Sequence, residues 1–345
     1  QPNVRRHTIK LHRGHVFSEL RTQFASGQFD IVFDCFTFEM VLPNGETENA
    51  EDNGGVVRDA LVEFWESFYD QCTLGREHKV PFLRHDYKEE DWKAIAKVLF
   101  YGWKEQKYFP IHLSKAFMSC CIYGMDTSAS SHDSLIKEFL SYIPLSEAKT
   151  ISSALEGNFD KEELIEILGI HECLVAPTSG NLRQILKEIS HKEIIQQPMY
   201  VKECWFNELN ALGFDLGCSS LDSLYDRLIP NNRQVAKLLC FPDDMSATQT
   251  STANFLKKFV REMEPDLLAR FLRFCTGSDV LLIDGVNDYK TISIRFTNVT
   301  GLAKNPVAHT CGRVLEIPEQ YDSFLEFRSE FSSVLKNDIW VMDFA

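Results

Sequence analysis

The hydrophobic period of the chain changes near residue 260, and that change limits the folds open to it more than any other feature. Upstream, apolar residues recur at helical spacing: Val57, Ala60, Leu61, Phe64, Trp65 and Phe68 form one stripe, and Trp92, Ile95, Leu99 and Trp103 another. Each is the core-facing side of an amphipathic helix. Two more helical stripes follow, Phe255, Phe259 and Met263, then Leu267, Leu268, Phe271 and Leu272, with Pro265 between them. Proline suits the first turn of a helix and disrupts an interior, so "EMEPD" marks a break and a new start. Beyond it the period shortens. "VLLI" (280–283), "TISIRFT" (291–297) and "VLEI" (314–317) read as strands, and a last helix runs from about Gln320 to Leu335. The pattern predicts an α+β protein with a large, mainly helical unit over 1–260, a hinge at 261–265 (Glu262, Met263, Glu264 and Pro265), and a small α/β unit over 266–345.

Within the larger unit, Ile31 to Leu42 is strand-like and ends at the turn signal Asn44-Gly45. The acidic stretch Glu46 to Asp52 reads as a solvated loop, and Gly54-Gly55 opens the first striped helix. A second helix is predicted from Asp91 to about Gln106, with Pro110 breaking the chain before the next. Residues 134–210 read as short amphipathic helices, interrupted by the loop "APTSGN" at 176–181.

Composition excludes several classes. With 345 residues, 44% hydrophobic and 12% aromatic, the chain can bury a large core. A formal net charge of −14 argues against binding a phosphate backbone, so no nucleic-acid partner is expected. No apolar run reaches membrane-span length and no signal-peptide pattern opens the chain, so no membrane partner is expected. None of the ten cysteines has C-x-x-C spacing, and several sit in apolar runs such as "FMSCC" and "FLRFCTG". Reducing compartments use cysteine in this way, as a small buried hydrophobe, which points to the cytoplasm or nucleus. The first residue is Gln, so a piece of a longer protein is expected. Gly54-Gly55 belongs to no phosphate loop, because no G-x-x-x-x-G-K pattern occurs, and "HEC" (171–173) reads as structural rather than metal-binding.

One cysteine departs from that usage. In "NPVAHTCGRVLEIP" (305–318), Cys311 has polar neighbours on both sides, and the apolar run starts only at Val314. It reads as a thiol in an exposed turn. In an extended loop, side chains at 309, 311 and 313 share one side, which sets His309 and Arg313 beside the sulfur. Positive charge there would favour the thiolate, the form that attacks. Thr310 could donate a hydrogen bond to the thiolate or to an acyl oxygen. Taken alone, such a cysteine is more often inert. A cysteine protease would need a distant, oriented histidine, and no signature of one surrounds Cys311.

The surrounding residues resemble the C-terminal lobe of HECT ubiquitin ligases. Phe274 to Ser278 ("FCTGS"), Ala308 to Cys311 ("AHTC") and Leu315 to Ser323 ("LEIPEQYDS") stand where that family shows its F-x-T-G, A/S-H-T-C and L-x-L-P-x-Y-x-S-Y segments. "DNGGVVRDALVEFWESF" and "IAKVLFYGWKEQKYFPIHLSKAFM" are similar, more loosely, to segments of its larger lobe. The divergent branch with the G2/M phase-specific ubiquitin ligase and its relatives looks most similar. The resemblance implies a two-lobed ligase needing no metal or organic cofactor. Cys311 would take ubiquitin from a charged ubiquitin-conjugating enzyme as a thioester and pass it to a lysine of a protein substrate. His309, Thr310 and Arg313 would support it. The conjugating enzyme would dock within about 130–245. An inactive HECT-like interaction module and a ligase for another ubiquitin-like protein are the alternatives. Three departures stand out. Gly-Arg follows Cys311 where the family has Phe-Asn. Met342 holds the place of a tail phenylalanine, leaving Phe344 and Trp340 as tail-positioning candidates. Residues 130–245 match poorly.

Overall fold

Two strands near the start alternate inward and outward, and their apolar faces begin the first core. The structure is a computed structural model and describes residues 5–47, 54–124, 132–217, 220–285, 288–298 and 305–336. Strand β1 (Arg6–His12) runs parallel to β2 (Cys35–Val41), with Arg6 opposite Cys35 and His12 opposite Val41, and helix α1 (Val16–Ala25) lies between them in sequence. Ile9, Leu11, Phe36, Phe38 and Met40 point inward. Helix α2 (Gly55–Cys72) buries the predicted stripe and also Val56, Arg58, Asp59 and Val62, so neighbours cover it on nearly every side. A short hairpin, β3 (Thr73–Leu74) and β4 (Val80–Pro81), leads to α3 (Glu89–Gln106) and α4 (Lys115–Tyr123).

Helices α5 (His132–Tyr142), α6 (Leu145–Leu155), α7 (Lys161–Ile170) and α8 (Leu182–His191) follow, then a π-helical turn at Lys192–Gln196. They form a core of their own around Phe139, Ile151, Leu164 and Leu186. The chain returns to the first core through α9 (Met199–Ala211) and α10 (Leu221–Leu228), where Trp205 meets Trp65, Phe68 and Phe117. The region expected to dock a conjugating enzyme, 130–245, therefore spans a separate helical cluster, two helices of the first core, and the entry to the next unit.

That next unit comprises α11 (Asn232–Leu238), β5 (Leu239–Cys240), α12 (Ala247–Glu262), α13 (Pro265–Thr276), the ribbon β6 (Ile283–Asp284) and β7 (Asp288–Tyr289), β8 (Ile292–Thr297), β9 (Val307–His309), β10 (Val314–Pro318) and α14 (Phe324–Lys336). Its four-stranded sheet has the order β5-β8-β10-β9; β8 is parallel to β5 and β10, while β9 pairs antiparallel with β10. Leu256, Phe259, Leu268, Phe271, Ile294, Leu315, Phe327 and Phe331 fill the space between sheet and helices. "VLLI" is not the strand its apolar run suggested. Val280, Leu281 and Leu282 are buried in irregular backbone, and only Ile283 pairs.

The stretch 261–265, expected as a hinge, lies within one core. Met263 is buried in the same core as α12, α13 and α14. Asn232 Nδ2 donates to the carbonyls of Val260 (2.9 Å) and Met263 (2.7 Å), which clamps this turn to α11. Pro265 starts α13, as the sequence suggested. A proline break ends one helix and starts another, but it does not separate cores. The change of core falls between Leu228, in the first cluster, and Val235, in the second.

Phe331 is fully buried, its ring 5.4 Å from that of Phe259 and 5.8 Å from that of Phe271. Phe331→Ala is expected to destabilise this unit by about 3–5 kcal/mol through lost burial and a residual cavity. Urea melts followed by circular dichroism measure it; a loss under about 1 kcal/mol would show that α12, α13 and α14 do not share one core.

Candidate active site at the Cys311 turn

The β9–β10 hairpin presents Cys311 in a tight turn. His309 pairs opposite Val314, so residues 310–313 must reverse the chain. The Arg313 N–H donates to the Thr310 carbonyl at 3.3 Å, and the Arg313 carbonyl accepts from the Ser293 N–H at 2.9 Å, which ties the turn to β8. Arg313 takes φ +53, a left-handed conformation uncommon for a residue with a Cβ. The turn is not extended, so the alternation that would range residues 309, 311 and 313 on one side does not hold. Arg313 Nε donates instead to the Thr291 carbonyl at 3.3 Å. His309 Nε2 lies 3.6 Å from Glu316 Oε1 across the hairpin, an ion pair when the imidazole is protonated.

The thiol is not exposed, contrary to expectation. Cys311 retains 8% of its surface and Thr310 is buried. The lid over them is the first turn of α2. A Cβ built on Gly55 would stand 2.6 Å from Thr310 Oγ1, 2.8 Å from the Cys311 nitrogen and 3.0 Å from Cys311 Sγ, so only glycine allows this approach. A second glycine meets the same turn. Gly277 caps α13 at φ +78, and a Cβ there would stand 2.5 Å from the Gly55 carbonyl oxygen.

Buried charge bridges the two units beside this contact. Arg58 donates through Nε to the Thr276 carbonyl (2.7 Å), through Nη2 to the Thr310 carbonyl (3.1 Å) and through Nη1 to Gln106 Oε1 (3.1 Å). Its neighbour Asp59 accepts from Arg273 Nε at 2.8 Å and from Arg13 Nη1, and Arg273 also reaches Glu66 at 2.8 Å. Burial pushes the Asp59 carboxyl upward, but the Arg273 and Arg13 charges outweigh it and hold the group below the usual carboxylate range. Nearby, burial raises Asp279, whose Oδ1 has no hydrogen-bond partner.

Residues 232–338 match the family model described as HECT-domain (ubiquitin-transferase). Those residues form a HECT-type domain. No curated protein matches the chain. The match begins at α11, where the second core begins, and ends beyond α14. In this HECT-type fold, α+β and two-lobed, the matched stretch is the small lobe with the Cys311 hairpin. The HECT match stops short of α2, so the resemblance of "DNGGVVRDALVEFWESF" stands on the sequence alone.

Of the sequence-predicted residues, the HECT hairpin brings His309, Thr310 and Cys311 together and turns Arg313 toward β8. Phe344 and Trp340, expected to position the tail, lie outside the described residues. Gly55, Arg58, Asp59 and Arg273 were missed. One signal was available: Arg58-Asp59 is a charged pair inside the apolar run "VVRDALVEFW".

A carboxyl held low contributes stability that is complete above the unfolded carboxylate pKa, about 3.9, and is lost as pH falls through the lower folded value. Asp59→Asn is therefore expected to lower stability at pH 7, by about 1.5–3 kcal/mol, because Arg13 and Arg273 each lose one buried carboxylate while keeping Glu63 and Glu66. It should also weaken the loss of stability below about pH 4. Thermal melts at pH 3 and pH 7 compare the two proteins. An undiminished acid dependence in the variant would assign that dependence to other carboxylates.

Proposed function

We propose that the protein is a HECT-type ubiquitin–protein ligase with Cys311 as its acyl-carrying nucleophile. The observation that carries this reading is the thiol's position at the tip of the β9–β10 hairpin of the matched lobe. A thiolate attacks the thioester between ubiquitin and the conjugating enzyme's cysteine, and that cysteine leaves as a thiolate. The amine of a substrate lysine then attacks the Cys311 thioester and loses a proton. An amide forms and Cys311 leaves as a thiolate. Sulfur suits both steps, since it is nucleophilic as the thiolate and its ester stays reactive toward an amine. In this reading His309, paired with Glu316, exchanges protons at the hairpin, and Thr310 positions the turn. The small lobe must move between donor and acceptor. We place its pivot at Ile229–Asn231, between the two cores, in place of 261–265. The cysteine usage favours the cytoplasm or nucleus as its setting.

For the conjugating enzyme we propose the end of α7 and the loop after it. Leu174 is 99% exposed there, Ile170 and Val175 near it in the chain are exposed too, and so is Ile165 on α7. His171 holds the loop at 3.1 Å from Glu193, and Lys192 Nζ donates to the His171 carbonyl at 3.3 Å. An apolar patch fixed on its own helical cluster suits a protein partner.

A second reading, a HECT-like interaction module without transfer, is favoured by the burial of Cys311. A thioester assay separates the two. With activating enzyme, a panel of conjugating enzymes, ubiquitin and ATP, the ligase is expected to give a reductant-sensitive band one ubiquitin heavier, lost in Cys311→Ala. A folded protein that gives no such band with any conjugating enzyme leaves the module reading. Given the band, Leu174→Asp with Ile170→Asp is expected to slow its formation about tenfold, with circular dichroism unchanged. An unaltered rate would remove this surface as the docking site.

A further inference from the structure

We propose that docking of the Cys311 turn on the first turn of α2 is an autoinhibitory latch, pinned by Arg58. The inference rests on the ligase reading, because it needs Cys311 to meet two other proteins. In the closed form it can meet neither. The thiol lies under Gly55, and the approach is close enough that even a methyl group would not fit. Ubiquitin arrives joined to a whole conjugating enzyme, so the lobe has to lift before the sulfur can react.

The contact is built to open without dismantling a core. Buried apolar side chains on its two sides belong mainly to separate clusters; among the described residues after the pivot, Val280 is buried in the first and Ile283 packs against it. Most of the bridging is polar. Arg58, 3% exposed, spends two of its donors on backbone carbonyls of the small lobe, at the end of α13 and in the Cys311 turn. Arg273 returns the contact to Asp59 and Glu66. Water can satisfy every one of these groups after separation, so opening exchanges hydrogen bonds rather than losing them. Closed, Arg58 holds the Thr310 carbonyl and thereby fixes the residue beside the nucleophile. Open, the hairpin keeps its own bonds to β8 and offers Cys311 to the donor.

Alkylation by iodoacetamide, read cysteine by cysteine by peptide mass spectrometry, tests the latch without any conjugating enzyme. A failure here is thus distinct from a failure of the thioester assay. In the wild-type protein Cys311 is expected to label at least about tenfold more slowly than exposed Cys35. Gly55→Ala suits a helix and has an ordinary φ, yet its methyl cannot coexist with the docked turn. It and Arg58→Ala are each expected to speed labelling of Cys311 about tenfold, while buried Cys121 and Cys275 stay protected. Cys311 labelling as fast as Cys35 in the wild type, or unchanged in both variants, overturns the latch. A measurement on the wild type alone guards against variants that unfold. If Cys311 is reached by lobe lifting, its labelling rises less steeply with urea than that of Cys275, which needs the core to open. Equal slopes mean that Cys311 is reached only by global unfolding, and the proposal fails.

Discussion

The placement of Cys311 depends on two consecutive charged residues that α2 buries in its first two turns. Neighbouring helical residues point about 100° apart. Arg58 therefore faces the small lobe's carbonyls, while Asp59 faces Arg13 on one side and Arg273 on the other. Burying either charge alone would be costly. Each is covered by several directed bonds, and those bonds also fix where the small lobe sits. A buried ion pair is weak evidence for added stability, but its geometry is demanding, and it orients what it joins. Orientation is what this pair supplies: one register of lobe on lobe, with the Cys311 turn beneath Gly55.

The small lobe can be carried as a unit because its interior is self-sufficient. Rings of Phe259, Phe271, Phe327 and Phe331 pack on one another and against the sheet, so the hairpin moves with a rigid support. The β10 strand lies between β8 and β9, which anchors the hairpin on the sheet's interior side. The turn itself is held from outside as well, through Arg58 on the Thr310 carbonyl. Local structure sets the thiol's position within the lobe, and the charged contact sets the lobe's position on its neighbour.

Much of this was legible from the residues, and the failures have physical causes. The helices came out because buried faces recur every three or four residues, as in Leu61, Phe64, Trp65 and Phe68. The hairpin was half legible: β10 has an apolar run, but β9 is three residues long and leaves no period to read. Pro265 starts a helix as its residue type suggests, but the sequence does not show that Met263 beside it packs into the small lobe's core, because a break in helix geometry carries no information about which side chains pack beyond it. The environment of Cys311 was the largest miss. Its polar sequence neighbours suggested exposure, but burial is decided by residues more than 250 positions away, on α2. No local pattern encodes a glycine that must be bare because another element lies on it.

That pair of bare residues bears on kinetics. Where Gly55 and Gly277 meet, backbone touches backbone, and no knob of side chain is threaded into a hole. Apart from Val280, Ile283 and the Arg58 guanidinium, separation of the lobes is a lift rather than an extraction. Its barrier comes chiefly from stripping charge-assisted hydrogen bonds before water replaces them. Motion over such a seam is governed by ions and solvent more than by repacking, so the lobe can part and close again while its own core remains intact and the first core gives up only its edge at Val280 and Ile283.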